Sequence, residues 1–309
     1  MTTTSEAPNG LPAVSLAAVP GRRRLTLDLA REIERRGFSG IYCPSMGDGL
    51  ALCEAIALST EHIHFGTSIV NIYTRHVTEF AHTASFIHEV SQGRFWFGVG
   101  VSHAPAHARL GVTVGKPLGD IRAFVDELKA VRGAGELPPI VLATLRDRMI
   151  ATAAEIGDGM VFANGARSRM AHSLTFAGEK VGDPGFFVGN MIPTVISEDR
   201  DLAAARNRKT LSRYALLPNY RNYWKAAGYV EEMEAVEQAV ERGETDRVPG
   251  LLSDRWLADT TLFGTAAEVR EGVERWFDAG IRTPILVPSS AAGNQIKAFE
   301  ELFAAFDGS

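Results

Sequence analysis

The chain has 309 residues, of which 45% are hydrophobic and 22% charged, the balance of a globular protein with a sizeable core rather than of a disordered one. A formal net charge of −5 gives no general attraction to phosphate backbones or anionic lipid, so neither nucleic acid nor a membrane surface is expected as a partner. No apolar run approaches the roughly 20 residues of a membrane helix. Cys43 and Cys53 form neither a metal-ligand nor a disulfide pattern, which suits a cytoplasmic protein.

The leader 1–10 is polar, carries Glu6 and lacks an apolar centre, unlike a signal or transit peptide. Residues 1–12 are expected to be a disordered tail ahead of a single domain spanning 13–309. A strand is predicted at 13–19, then a helix at 25–36 with Leu25, Leu29 and Ile33 on one face and Gly37 as its stop. Further strands are predicted at 40–44, 63–69, 94–99, 139–143, 159–163, 186–196 and 284–287, eight in all. Helices are predicted at 78–90, 118–131, 148–156, 266–279 and 295–306. Ile140-Val141-Leu142-Ala143 is the continuous apolar run of a strand covered on both faces.

Eight strands alternating with helices predict an α/β protein, a (β/α)8 TIM barrel, over an open doubly wound sheet. The dinucleotide alternative requires G-x-G-x-x-G after the first strand, where Val19-Pro20-Gly21 and three arginines stand instead; after the fourth strand, Gly98-Val99-Gly100 has His103 in the third glycine's place. Residues 198–263 are too many for an ordinary connection and predict a helical insertion between strands seven and eight. Its helices, near 202–227 and 230–242, carry Tyr214, Tyr220, Tyr223, Trp224 and Tyr229. These aromatics are read as packing against the barrel or a dimer mate, with a substrate lid as the alternative.

In a barrel the reactive groups sit at the carboxyl ends of the strands. His62-x-His64 and His103-x3-His107 raise a metal-dependent hydrolase, but His62 and His64 enter their strand from the opposite end, and no metal site is expected. The informative stretch runs from Gly66-Thr67-Ser68-Ile69-Val70-Asn71-Ile72-Tyr73-Thr74-Arg75-His76 through Thr83-Ala84-Ser85 to Gln92-Gly93-Arg94-Phe95-Trp96-Phe97-Gly98-Val99-Gly100. In order and without gaps it resembles the luciferase-like superfamily, most closely the branch that uses coenzyme F420, a deazaflavin, and that includes methylene-tetrahydromethanopterin reductases. Weaker similarity covers Gly37-Phe38, the run from Ala154 to Gly159, and the run from Gly264 to Val269.

The resemblance implies a barrel that holds a deazaflavin or isoalloxazine ring at its carboxyl mouth, with a non-proline cis peptide at Ser68–Ile69 under one face of the ring. A ring needs an apolar wall and a few backbone donors, which Thr67, Ser68, Ile69 and Val70 can offer. Gly100 and Ser102, at the next strand end, join the cofactor-facing set. Thr144-Leu145-Arg146 opens a helix and supplies amides, a hydroxyl and a guanidinium for the cofactor phosphate, with Asn164-Gly165-Ala166 as a second set. Ser45 and Asn71 are expected to contact ring or substrate, or else to make structural hydrogen bonds.

The chain departs from the family in several places. Cys43-Pro44-Ser45-Met46 replaces V-P-D-H, Ala143-Thr144-Leu145 stands where a Gly-rich loop is common, and His103 occupies the place of an acidic residue. His103 is the candidate proton donor or orienting group, because imidazole titrates near neutrality; the alternative is a surface loop histidine. His76 matches the family's R-H pair, though Val77 replaces proline, and is a second catalytic candidate or a brace for the loop. The expected activity is hydride transfer between coenzyme F420 and a small apolar or pterin-like molecule, in a homodimer by the family's habit. FMN is the alternative cofactor, with a monooxygenase reaction. A non-catalytic flavin-binding barrel and a metal-dependent hydrolase remain as competing functions.

Overall fold

The computed structural model describes residues 10–307, so residues 1–9 of the expected tail lie outside the described residues. Two compact units are present, one of residues 12–162 with 174–189 and one of residues 163–173 with 190 onward. Among the described residues no helix is long and apolar enough to cross a membrane.

The first unit alternates strands and helices: β1 (Ala13–Ser15), the helix Arg23–Arg35, β2 (Gly40–Cys43), the helix Gly49–Ser59, β3 (His64–Thr67), β4 (Val70–Asn71), the helix Val77–Val90, β5 (Phe95–Gly100), the helices Ala104–Leu110 and Pro117–Ala130, β6 (Ile140–Thr144), the helix Asp147–Ile156 and β7 (Gly159–Ala163). All pairings are parallel, with Cys43 beside Thr67, Gly66 beside Trp96, Asn71 beside Gly100 and Val99 beside Leu142. Parallel strands covered by helices bury both faces, and Ile41, Phe65, Phe97, Val99 and Leu142 are all buried. At the amino ends, Arg94 donates to the carbonyls of Ala57, Thr60 and Ile63, and Glu34 accepts from the amides of Glu61, His62 and Ile63. That end is closed by structural hydrogen bonds.

In the second unit, β8 (Phe187–Ile196), whose first residues belong to the first unit, pairs in parallel with β9 (Leu262–Gly264) and also with β10 (Thr283–Pro288). Between β8 and β9 lie the helices Arg200–Ala215, Pro218–Ala226, Val230–Glu241, Val248–Leu251 and Asp254–Thr260; the helices Ala266–Asp278 and Gln295–Phe306 flank β10. Thr265 and Glu268 form a capping box on the helix Ala266–Asp278, each side chain satisfying an amide of the other's turn. The aromatics of these helices form a core: Tyr220, Tyr223, Trp224, Tyr229 and Trp256 are buried, with Trp224 edge-on to Trp256 at 4.8 Å between centroids.

The parallel order and alternation are those of the predicted (β/α)8 barrel, and each of the eight predicted strands has its counterpart. β9, inside the stretch 198–263, and the short helix Ala104–Leu110 are not among the predicted elements, and three further differences have a physical reason. The predicted strand 63–69 stops at Thr67 and resumes as β4, because the chain bulges at Ser68 and Ile69. The predicted helix 202–227 is two helices, broken where Pro218, which has no N–H and would clash with a preceding turn, starts the second at its N-terminus. The helix Gly49–Ser59 went unforeseen because its sequence is apolar nearly all round and carries no amphipathic stripe.

Candidate active site

Close backbone approach dictates residue type where β3, β4 and β5 meet. Thr67 Oγ1 donates to the Gly98 carbonyl at 2.7 Å, and the Ser68 amide donates to the Cys43 carbonyl at 2.7 Å. A Cβ on Gly98 would collide with the Thr67 carbonyl oxygen, and one on Gly100 would sit 2.8 Å from Ala143 Cβ and 3.1 Å from Ile69 Cδ1. Only glycine permits this contact. The Ser68–Ile69 peptide is cis, as the resemblance implies. Thr67, Ser68 and Val70 are buried while Ile69 is half-buried, so the bulge presents an apolar side chain from a backbone anchored on both sides.

The neighbouring strand ends bear the other candidates. Ser45 is exposed. Asn71 is buried and its Oδ1 accepts from the Tyr73 amide at 3.1 Å, a structural hydrogen bond that shapes the turn after β4. His76 is exposed and its Nδ1 accepts from the Thr78 amide at 3.3 Å, capping the helix Val77–Val90. Arg75 pairs with Asp48 at 2.5 Å, joining the loops after β4 and β2. Ser102 adopts a left-handed backbone at φ 59, which turns the chain into His103. His103 is half-buried; burial, and then the charge of His107, lower its pKa and favour neutral imidazole.

After β6, Thr144 is buried and its Oγ1 has no hydrogen-bond partner among the described residues. A buried hydroxyl without a partner is costly unless something completes it. Leu145 is half-buried and Arg146 exposed at the N-cap of the helix Asp147–Ile156. With half-buried Ile69 held on the bulge over Gly98 and Gly100, this donor set fits a polar cofactor with a flat apolar head.

In the second unit, Asn164 takes a left-handed φ of 57 at the end of β7. Its amide donates to Met191 and its carbonyl accepts from Trp224 Nε1 at 3.2 Å. The Gly165 amide donates to Asn190 Oδ1 at 3.2 Å and the Ala166 amide to the Tyr223 hydroxyl at 3.0 Å. This corrects the expectation that Asn164, Gly165 and Ala166 offer free amides, since all three are used within the unit. Asn190 was missed by sequence reasoning; it is fully buried and its Nδ2 has no partner among the described residues. Tyr73, His107 and Asp120, whose side chains meet beside His103's loop, were also missed as a set, because an acid in a helix's first turn is the ordinary complement of the helix dipole.

Fold and strand-end chemistry together define an α/β-barrel enzyme. The chain belongs to the luciferase-like monooxygenase family, whose sequence model spans residues 7–283, and is an oxidoreductase of that type. It is 25% identical over 275 residues to 5,10-methylenetetrahydromethanopterin reductase of Archaeoglobus fulgidus, covering 79% of this chain and 82% of the relative. It is 24% identical over 281 residues to a protein of Mycobacterium tuberculosis named as a putative coenzyme F420-dependent oxidoreductase, covering 75% of this chain and 81% of that one. Among solved structures, the coenzyme F420 dependent tetrahydromethanopterin reductase of Methanopyrus kandleri superposes with a TM-score of 0.73 at 16% identity, covering 95% and 97% of the two chains. That likeness shows the fold.

Proposed function

We propose that this protein transfers a hydride between coenzyme F420 and a small organic molecule, apolar or pterin-like. The observation that carries this reading is the Thr67–Ile69 bulge seated directly on Gly98 and Gly100, in a chain whose relatives carry F420-dependent names. When bound, a reduced deazaflavin supplies a hydride, that is, one hydrogen with two electrons.

The residues' part is to hold and orient the ring and to manage the proton. Thr67, Ser68, Ile69 and Gly100 would line its apolar face, and Thr144 Oγ1 with Arg146 would meet its polar tail. His103 would take up the proton that accompanies hydride transfer, since its lowered pKa favours the neutral imidazole, which acts as a base. His76, committed to a helix cap, braces the loop.

The reading also has the enzyme work as a cytoplasmic homodimer. The buried free thiols Cys43 and Cys53 suit a reducing compartment. Leu58 and Phe86, 74% and 53% exposed on the helices Gly49–Ser59 and Val77–Val90, suit a partner copy.

The test is anaerobic incubation with reduced coenzyme F420 and a panel of carbonyl, enone and pterin acceptors, followed by the return of oxidised deazaflavin absorbance. Oxidation that needs both protein and acceptor is expected. No oxidation, with oxygen consumed by FMN-loaded protein instead, would replace the reading with an FMN monooxygenase.

A further inference from the structure

The segment 101–116, between β5 and the helix Pro117–Ala130, carries Ser102 and His103, yet none of its residues is fully buried. Its helix Ala104–Leu110 has no buried residue. A segment without buried apolar contacts is expected to open locally at little cost, whereas a proton-handling group must be held in place. Polar side chains do the anchoring.

Asp120 Oδ2 accepts from the Tyr73 hydroxyl at 2.5 Å and from the Gly115 amide at 2.7 Å. A Cβ on Gly115 would collide with the Asp120 carboxylate, so glycine is what lets the loop reach it. The Tyr73 ring lies edge-on to the His107 ring, 5.2 Å between centroids at 82°. His107 Nε2 lies 2.5 Å from the Val101 carbonyl oxygen; a carbonyl only accepts, so this nitrogen carries the proton and donates. Burial, and then the Asp120 carboxylate, push the Tyr73 phenol's pKa up, so it remains a donor.

We propose that Tyr73, His107 and Asp120 are positioning residues that latch both ends of the 101–115 segment and thereby hold His103 half-buried at the carboxyl end of β5. Asp120 secures the far end through Gly115, His107 folds the near end back onto Val101, and Tyr73 bridges the two. Their relevance to turnover rests on the proposed hydride-transfer function; the latch itself does not.

The test therefore uses the full chain without cofactor, so that failure of the latch and failure of the functional reading can be told apart. Imidazole NMR resonances are titrated with pH, His103 being assigned by its loss in His103→Asn. In the wild type its midpoint should lie below the ordinary histidine value. Tyr73→Phe, which keeps the ring on His107 and removes the hydroxyl, and Asp120→Ala should both move the midpoint up toward that value, because an opened loop rehydrates the imidazole. Asp120→Asn, which retains an acceptor oxygen, should restore most of the wild-type midpoint. Amide exchange at Gly115 should rise about fivefold in Asp120→Ala, with the β5 amides unchanged. An unchanged His103 midpoint in both Tyr73→Phe and Asp120→Ala would overturn the latch, and so would exchange rising equally in β5, which would make the residues general stabilisers.

Discussion

The stretch from β3 to β5 and the helical stretch from Arg200 to Thr260 use opposite means of specifying structure. In the first, backbone meets backbone: Gly98 faces the Thr67 carbonyl and Gly100 faces Ile69 and Ala143, so few residue types are tolerated. In the second, large side chains fill space: Tyr220, Trp224 and Trp256 pack in sequence at 5.3 and 4.8 Å between centroids. Many apolar combinations satisfy such a core if volume and pattern are kept. A region whose backbone contacts dictate its sequence retains a motif, while a region held by packing retains only a periodicity.

Trp256→Ala should be the most damaging substitution to stability, about 4 kcal/mol by loss of a fully buried indole, read as a shifted denaturant midpoint. Protein that is still folded should bind cofactor as before; a matching loss of affinity would break the contrast between the regions. Gly98→Ala should cost about 3 kcal/mol through the collision with Thr67 and should also abolish cofactor binding, which a titration at a temperature where the variant is folded would check. His103→Ala should lower turnover by about a hundredfold with cofactor affinity unchanged; unchanged turnover would remove His103 from the chemistry.

The smallest effect should come at the amino end. Burial raises the pKa of Glu34, but the amides of His62, Ile63 and Glu61 outweigh it, so the net shift is downward from 4.5. A carboxylate depressed in the folded state stabilises at pH above its unfolded value and loses that contribution as pH falls through the folded one. Glu34→Gln should therefore cost about 1 kcal/mol at pH 7 and flatten the acid limb of stability below about pH 4.5. A constant difference between the two proteins down to low pH would contradict this.

The same contrast explains what could be read in advance. The strand ends at Thr67, Gly98 and Gly100 were reached through the family resemblance, and the close contacts at the two glycines give that motif a steric reason. The helix Gly49–Ser59 was not, since a helix apolar on all sides offers no period to detect. The loop after β7 misled: Asn164-Gly165-Ala166 read as a donor set, and only tertiary structure brings Trp224, Asn190 and Tyr223 to it. Asp120 was hidden for the same reason, its partners Tyr73 and Gly115 being identifiable only once the chain is folded.

The central claim is that the surface formed by Thr67, Ser68, Ile69 and Gly100 seats a deazaflavin. It is tested most directly by a paired fluorescence titration of the purified protein with coenzyme F420 and with FMN. Saturable quenching of F420 at concentrations where FMN is unaffected, lost in Gly98→Ala, is the predicted result; tighter binding of FMN, or binding of neither, would contradict it.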